Sequence, residues 1–309
     1  MSGGRVVITD VDYPDVAIER GILEAAGLEL EVHQAKSGPA LHEIVRQADG
    51  LIVQYARITR AVLADMPRCQ IIARYGVGLD TIDLAAAAER GIAVHNVPDY
   101  CTEEVADHTL ALLLAVLRGV HRLANAIEAG EWSLEAARPL HRMRGLTLGL
   151  IGCGRIGTAV ASRGRAFGMR VLAFDPYLEA AELRARGVEP ASLEHVLRAS
   201  DVLSLHRPAT LDSPPALGPA ELAQVKPGVI VVNTARGSLI DEDALRAALG
   251  DGRVRAAALD VLQTEPPGPG SLASVPGVLV TPHAAWYSEE SEVQLRTTVA
   301  TLICDALRA

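Results

Sequence analysis

At 309 residues the chain is long for one hydrophobic core and reads as two domains. With 49% hydrophobic and 22% charged residues it is not a disordered or fibrous chain. The net charge is −9, the arginines are scattered, and Lys36 and Lys226 are the only lysines. No basic stripe is left to neutralise a phosphate backbone, so nucleic acid is not expected as a partner.

The opening MSGGRVVITD lacks a charged segment followed by an apolar one, so no signal peptide is expected. Short apolar runs then alternate with helical stretches. RVVITD, LELEV, GLIVQY, QIIARY and GIAVHN read as buried strands; 17–26, 40–47 and 84–90 have helical spacing. Repeated βα units imply a mostly parallel sheet covered on both faces.

Asn96-Val97-Pro98-Asp99 breaks the alternation. Thr102 follows as a helix N-cap, with Glu103 and Glu104 placed to complement the helix dipole. One long helix is expected from here to about Ala129. Its centre, LALLLAVL, is apolar all round, which implies burial on several sides: between domains, against a second subunit, or in the core of a monomer. The apolar run Thr109 to Leu117 is far shorter than the roughly 20 residues that span a bilayer, so no membrane role is expected. Cys69, Cys101, Cys153 and Cys304 lie far apart and read as apolar fillers in a reducing cytoplasm, with no metal site implied.

After Gly145 the alternation resumes with LTLGLIG, RVLAFD, DVLSLH, VIVVNT, RAAALDV and VLVTPH, a second doubly wound unit. Its first strand runs into Gly152-x-Gly154-x-x-Gly157 and then a helix. Such glycines allow a tight turn, close approach of a pyrophosphate and packing of helix on strand. The next strand ends in Asp175, 21 residues beyond Gly154. A carboxylate there accepts from the adenine-side ribose hydroxyls and repels a 2′-phosphate, and Pro176 supplies no cation, so NAD is expected rather than NADP.

Three further strand ends carry Asn233-Thr234-Ala235-Arg236-Gly237, then Asp260 with Glu265-Pro266, then Thr281-Pro282-His283. Residues at the carboxyl ends of parallel strands face the ligand crevice. Arg236 can hold a carboxylate in a bidentate fork, His283 can pass a proton to an oxygen, and Glu265 can orient the imidazole.

IGCGRIG, FDPY, VNTARGSLID, ALDVLQTEPP and TPHAAWYSEES, with IIARYGVGLDTID and NVPDYCTEEVADHTLALLL before them, resemble the D-isomer-specific 2-hydroxyacid dehydrogenases. HAAWYSEES is most similar to the branch that includes the C-terminal-binding-protein corepressors. The resemblance implies an α/β fold of two doubly wound parallel-sheet domains. A Rossmann NAD domain, residues 100–284, is inserted into a flavodoxin-like substrate domain of residues 1–99 with 285–309. It implies Arg236, Glu265 and His283 as catalytic residues. It also implies cofactor contacts from Gly152, Gly154, Arg155, Ile156, Gly157, Asp175, His206, Thr234, Ala235, Asp260 and His283. Arg74, Val77, Gly78, Arg236 and Trp286 would meet the substrate, and the helix after Thr102 would form a homodimer.

The expected activity is therefore NAD-dependent hydride transfer between a small 2-oxo acid and its D-2-hydroxy acid. Glu265 stands where a formate dehydrogenase resembling this family carries Gln, and Val77 where a phosphite dehydrogenase carries lysine, which speaks against those substrates. A phosphoglycerate-type activity stays open through Arg74 and Arg57, although the chain ends at Ala309 without the regulatory domain of some such enzymes. A non-catalytic NAD-dependent binding protein, like the corepressors, is the other alternative.

Overall fold

The computed structural model describes residues 4–209 and 213–308. The chain divides into two compact units, Met1–Cys101 with Ser288–Ala309, and Thr102–Tyr287.

The first unit is a sheet of five parallel strands: β1 (Arg5–Ile8), β2 (Glu29–Val32), β3 (Gly50–Val53), β4 (Ile71–Arg74) and β5 (Ala93–His95). Their order, β2-β1-β3-β4-β5, is the flavodoxin-like doubly wound order. β3 is fully buried because helices cover both faces of the sheet. At its carboxyl end the buried Asp10 carboxylate accepts backbone N–H groups from Tyr55 (2.8 Å) and Ala56 (3.1 Å), so the protein's own anion occupies the turn between β1 and β3.

The last helix, Glu289–Arg308, returns to this unit and packs on the helix Ala17–Ala25 and on β4. Its Arg296 forms a bidentate pair with Glu19 (2.8 and 2.9 Å), and both are buried. Tyr75 Oη donates to the same carboxylate at 2.8 Å. A buried charge persists only when paired and hydrogen-bonded in this way.

The second unit has seven parallel strands: β6 (Thr147–Ile151), β7 (Arg170–Phe174), β8 (Glu189–Pro190), β9 (Val202–Leu205), β10 (Val229–Asn233), β11 (Val254–Leu259) and β12 (Val278–Val280). The order β12-β11-β10-β9-β6-β7-β8 is the Rossmann order with one added edge strand. β6, β9 and β10 are buried along their whole length. Leu148 and Leu150 of β6 face one core, with Leu113 and Val160, while Ile151 faces the other, with Leu203 and Leu245. That alternation is the two-residue period of a strand buried on both sides.

The single long helix expected after Thr102 is not formed. It ends at Leu117, and a second helix, Val120–Glu128, leaves at 62°. Gly119 makes the break with φ 63°, and a Cβ there would lie 2.9 Å from that of Ala137. The first segment is buried within its own unit through Leu110, Leu112, Leu113, Val116 and Leu117. On the second segment and the stretch after it, Val120, Ile127, Trp132 and Leu134 are exposed.

Among the described residues no single helix is long and apolar enough to cross a membrane. All four cysteines are buried and free.

Candidate active site

The carboxyl ends of β6, β7, β9, β10, β11 and β12 bring the candidate residues of the second unit to one edge of its sheet. The glycine turn leaves β6. Gly152 has φ 95°, and a Cβ on it would fall 2.6 Å from the His206 carbonyl carbon, so the turn can pass β9 only without a side chain. A Cβ on Gly157 would fall 2.6 Å from the Gly152 carbonyl oxygen, which packs the helix Arg155–Ala166 against the turn. At Gly154, by contrast, a Cβ would meet nothing within 4 Å. The open face of the turn thus coincides with the start of a 12-residue helix, where unpaired N–H groups favour an anion.

Asp175, after β7, accepts the Cys153 N–H at 2.8 Å and the Tyr177 N–H at 3.0 Å. Arg186 reaches the same turn from the other side, its Nη1 donating to the Cys153 carbonyl at 2.5 Å. No sequence motif announces this arginine, since a whole helix separates it from Asp175. His206 and Ser204 Oγ share a 2.8 Å hydrogen bond. Desolvation pushes the His206 imidazole down to about 4, so it is neutral at pH 7. Arg155 is exposed at the start of the helix and Ile156 is half-buried beside it. A glycine turn open at Gly154, a helix N-terminus and the Asp175 carboxylate beside the turn together fit a dinucleotide.

At the end of β10 the buried Asn233 brackets the next turn: its Oδ1 accepts from Ala235 N (3.0 Å), and its Nδ2 donates to the Arg236 carbonyl (2.8 Å). Thr234 is buried and shares a 2.8 Å hydrogen bond with Thr109. Arg236 Nη1 donates to the Ala235 carbonyl at 2.8 Å.

His283 and Glu265 form a hydrogen-bonded pair at the carboxyl edge of the sheet. His283 Nδ1 lies 2.7 Å from Glu265 Oε2, and Glu265 Oε1 accepts the Leu262 N–H at 2.9 Å. Burial works against the Glu265 charge, but the hydrogen bond and charge of His283, the Leu262 N–H and the charge of Arg236 outweigh it and hold the carboxyl below its ordinary value. Glu265 is therefore anionic at neutral pH and accepts the Nδ1–H of His283. With Nδ1 engaged, Nε2 is the nitrogen of His283 left to exchange a proton with a ligand.

His283 sits at φ 54°, a left-handed conformation rare outside glycine. Asp260 holds it there. Its main-chain oxygen accepts the His283 N–H (2.8 Å), while its carboxylate accepts Ala284 N, Ala285 N (2.9 Å each) and Thr281 Oγ1 (2.6 Å). Asp260, singled out as a cofactor contact, is thus also the knot of the turn that carries His283. Trp286 follows half-buried, its ring edge-on to Tyr287 at 5.6 Å, and Tyr287 is exposed.

Arg74, Val77 and Gly78 lie in the first unit, at and after the carboxyl end of β4. A Cβ on Gly76 (φ 129°) would fall 2.0 Å from Arg74 Nη1, so the guanidinium lies over that glycine. Val77 O accepts from Asn96 Nδ2 at 2.5 Å, which ties the loop to the end of β5.

Residues 110–285 match the family model described as D-isomer specific 2-hydroxyacid dehydrogenase, NAD binding domain. The chain is 38% identical over 306 residues to a D-3-phosphoglycerate dehydrogenase of Methanocaldococcus jannaschii, covering 98% of this chain and 57% of that protein. It is 39% identical over 298 residues to the D-3-phosphoglycerate dehydrogenase of Mycobacterium leprae, covering 94% and 56%. It thus spans little more than half the length of these curated relatives. Among solved structures, the D-lactate dehydrogenase of Aquifex aeolicus complexed with NAD and lactic acid superposes with a TM-score of 0.88 at 31% identity, over 96% of this chain and 94% of that one.

Proposed function

Because the chain belongs to the D-isomer specific 2-hydroxyacid dehydrogenase family, we propose that it interconverts a small 2-oxo acid and the corresponding D-2-hydroxy acid with NAD. The observation that carries this reading is the Glu265–His283 pair, 2.7 Å apart, with the Arg236 charge acting on it, inside the segment that matches the NAD binding domain. Residues 100–284 act as the NAD-binding part, and 1–99 with 285–309 as the substrate-binding part.

The glycine turn with Arg155 and Ile156, then Asp175, His206, Thr234, Ala235 and Asp260, hold the cofactor, which supplies or accepts the hydride when bound. Negative charge develops on the C2 oxygen as a 2-oxo acid is reduced. Arg236 binds the substrate carboxylate and stabilises that charge, and protonated His283 gives the oxygen its proton. In the reverse direction the neutral imidazole accepts the proton. Glu265 keeps the ring oriented by accepting its Nδ1–H. Arg74, Val77, Gly78 and Trp286 contact the substrate, with Trp286 bordering its side chain and favouring an apolar one. The enzyme works in the cytoplasm, which suits four free buried cysteines. It pairs as a homodimer through the exposed apolar residues Val120, Ile127, Trp132 and Leu134.

A second reading, oxidation of a phosphoglycerate-type acid, draws on the names of the two curated relatives and on Arg74 and the exposed Arg57 as phosphate partners. One experiment addresses both. Purified protein is given NADH and a panel of 2-oxo acids: glyoxylate, hydroxypyruvate, its phosphorylated form, and branched and aromatic members. Loss of NADH absorbance is then followed for each. Turnover confined to the phosphorylated acid selects the second reading, and no turnover of any member refutes both.

A further inference from the structure

We propose that His108, on the helix Thr102–Leu117, is a positioning residue that sets the orientation of His283 through Thr281 and Asp260. His108 Nε2 lies 3.0 Å from Thr281 Oγ1 and 3.5 Å from Asp260 Oδ1. Thr281 Oγ1 is 2.6 Å from the same Asp260 Oδ1. An ionised carboxylate only accepts, so the threonine hydroxyl spends its proton on Asp260, and its lone pair is left to accept from His108 Nε2–H. The direction of the chain is fixed: His108 donates to Thr281, and Thr281 donates to Asp260.

Asp260 is where the chain becomes consequential. Its carboxylate is 1% exposed and also accepts the Ala284 and Ala285 N–H groups, while its main-chain oxygen accepts the His283 N–H. These bonds define the turn that keeps His283 at φ 54° with Nδ1 on Glu265. A left-handed conformation at a residue with a Cβ persists only where its surroundings over-determine it. Rotation of the Asp260 carboxylate would release Ala284 and Ala285 together, and the donors that oppose this rotation are Thr281 and, behind it, His108. The helix buried in the core of the unit is thereby coupled to the proton-transferring imidazole, across a sequence separation of 173 from His108 to Thr281.

The inference rests on the proposed role of His283. The test compares His108→Ala, His108→Gln, Thr281→Val and Thr281→Ser with the wild-type chain, each checked for thermal unfolding. Gln Nε2–H can replace the imidazole donor, and Ser keeps the hydroxyl. His108→Ala and Thr281→Val should each lower kcat roughly ten- to hundredfold, with the loss falling on kcat more than on the KM of the 2-oxo acid, the cost of a misplaced catalytic group. Their combination should be no slower than either alone. His108→Gln and Thr281→Ser should recover most of the rate. In the cofactor-free protein, imidazole nitrogen resonances should report His283 held as the Nδ1–H form in the wild type and in His108→Gln, and averaged between forms in His108→Ala. Wild-type turnover by His108→Ala, equal impairment of His108→Gln, or an unchanged His283 signal in His108→Ala overturns the proposal. If the wild type reduces no 2-oxo acid, the dehydrogenase reading fails while the resonance measurement still decides the role of His108.

Discussion

Gly237 lies so close to Leu262 that a Cβ on it would fall 2.0 Å from the Leu262 carbonyl carbon and 2.5 Å from Gln263 N. The loop carrying Arg236 and the loop carrying Glu265 are therefore packed backbone on backbone, with no side chain able to yield. Arg236 immediately precedes the contact, and Glu265 is fastened to it, since its Oε1 accepts the Leu262 N–H. Gly237→Ala must separate the two loops. It should lower kcat/KM about a hundredfold, because small displacements of catalytic groups have costs of that order. It should also lower Tm. Steady-state kinetics and thermal unfolding check both, and wild-type kinetics in this variant would mean the loops move independently.

The Glu265–His283 pair fixes the sign of a pH dependence. With His283 in its proposed role, reduction of a 2-oxo acid consumes its proton, and oxidation needs the imidazole without it. Reductive kcat/KM should therefore be greater at lower pH and oxidative kcat/KM greater at higher pH. His283→Gln should lower turnover by about two to four orders of magnitude in both directions, the usual worth of a positioned acid–base group. NADH affinity, read by fluorescence titration, should stay near that of the wild type. A His283→Gln variant that keeps its pH profile would locate the titrating group elsewhere.

His206 offers a stability test separate from activity. Its imidazole is pushed from 6.5 down to about 4 in the folded chain. A depressed value means the unfolded chain binds the proton first, so stability is full above the unfolded value and falls as pH drops from 6.5 toward 4, at up to about 1.4 kcal/mol per pH unit. Glu265, whose value is also lowered, loses its contribution only further down, in the carboxylate range. His206→Gln should remove the upper part of the acid-induced loss and leave the lower part. Denaturant midpoints measured across this pH range distinguish the two.

The local elements were largely legible because each is written in a local pattern. The continuous apolar run of β10 gives a strand buried on both faces, and Gly152, Gly154 and Gly157 follow β6 at once. The placement of the candidate residues at strand ends was legible for the same reason: once the sheet is parallel, its carboxyl edge collects them. The features that escaped depend on tertiary approach. The break at Gly119 turns on a left-handed backbone and on Ala137 arriving from beyond the second helix, which no helical period records. The two-residue strand β8 is too short for any period. His108 reads as a polar residue in an apolar helix until β12 brings Thr281 to it.

Arg186, which no motif announces, holds the glycine turn directly through the Cys153 carbonyl. The backbone at Cys153 is held from both sides, its N–H by Asp175 at 2.8 Å and its carbonyl by Arg186 at 2.5 Å. Arg186 is itself anchored next to Gly187, whose carbonyl accepts from Arg165 at 3.0 Å, so the clamp is braced against the helix that starts at Arg155. Removing the guanidinium leaves Asp175 as the only one of these two restraints and lets the turn relax before the dinucleotide arrives. Arg186→Ala should therefore weaken NADH binding by about one order of magnitude, the free energy of roughly one charge-assisted hydrogen bond, with kcat at saturating NADH little changed. Arg186→Lys should recover only part of the affinity, since an ammonium lacks the planar fork. Fluorescence titration of NADH measures the first effect and saturation kinetics the second. A fall in kcat with unchanged NADH affinity would mean that Arg186 acts on the chemistry and not on the turn that receives the cofactor.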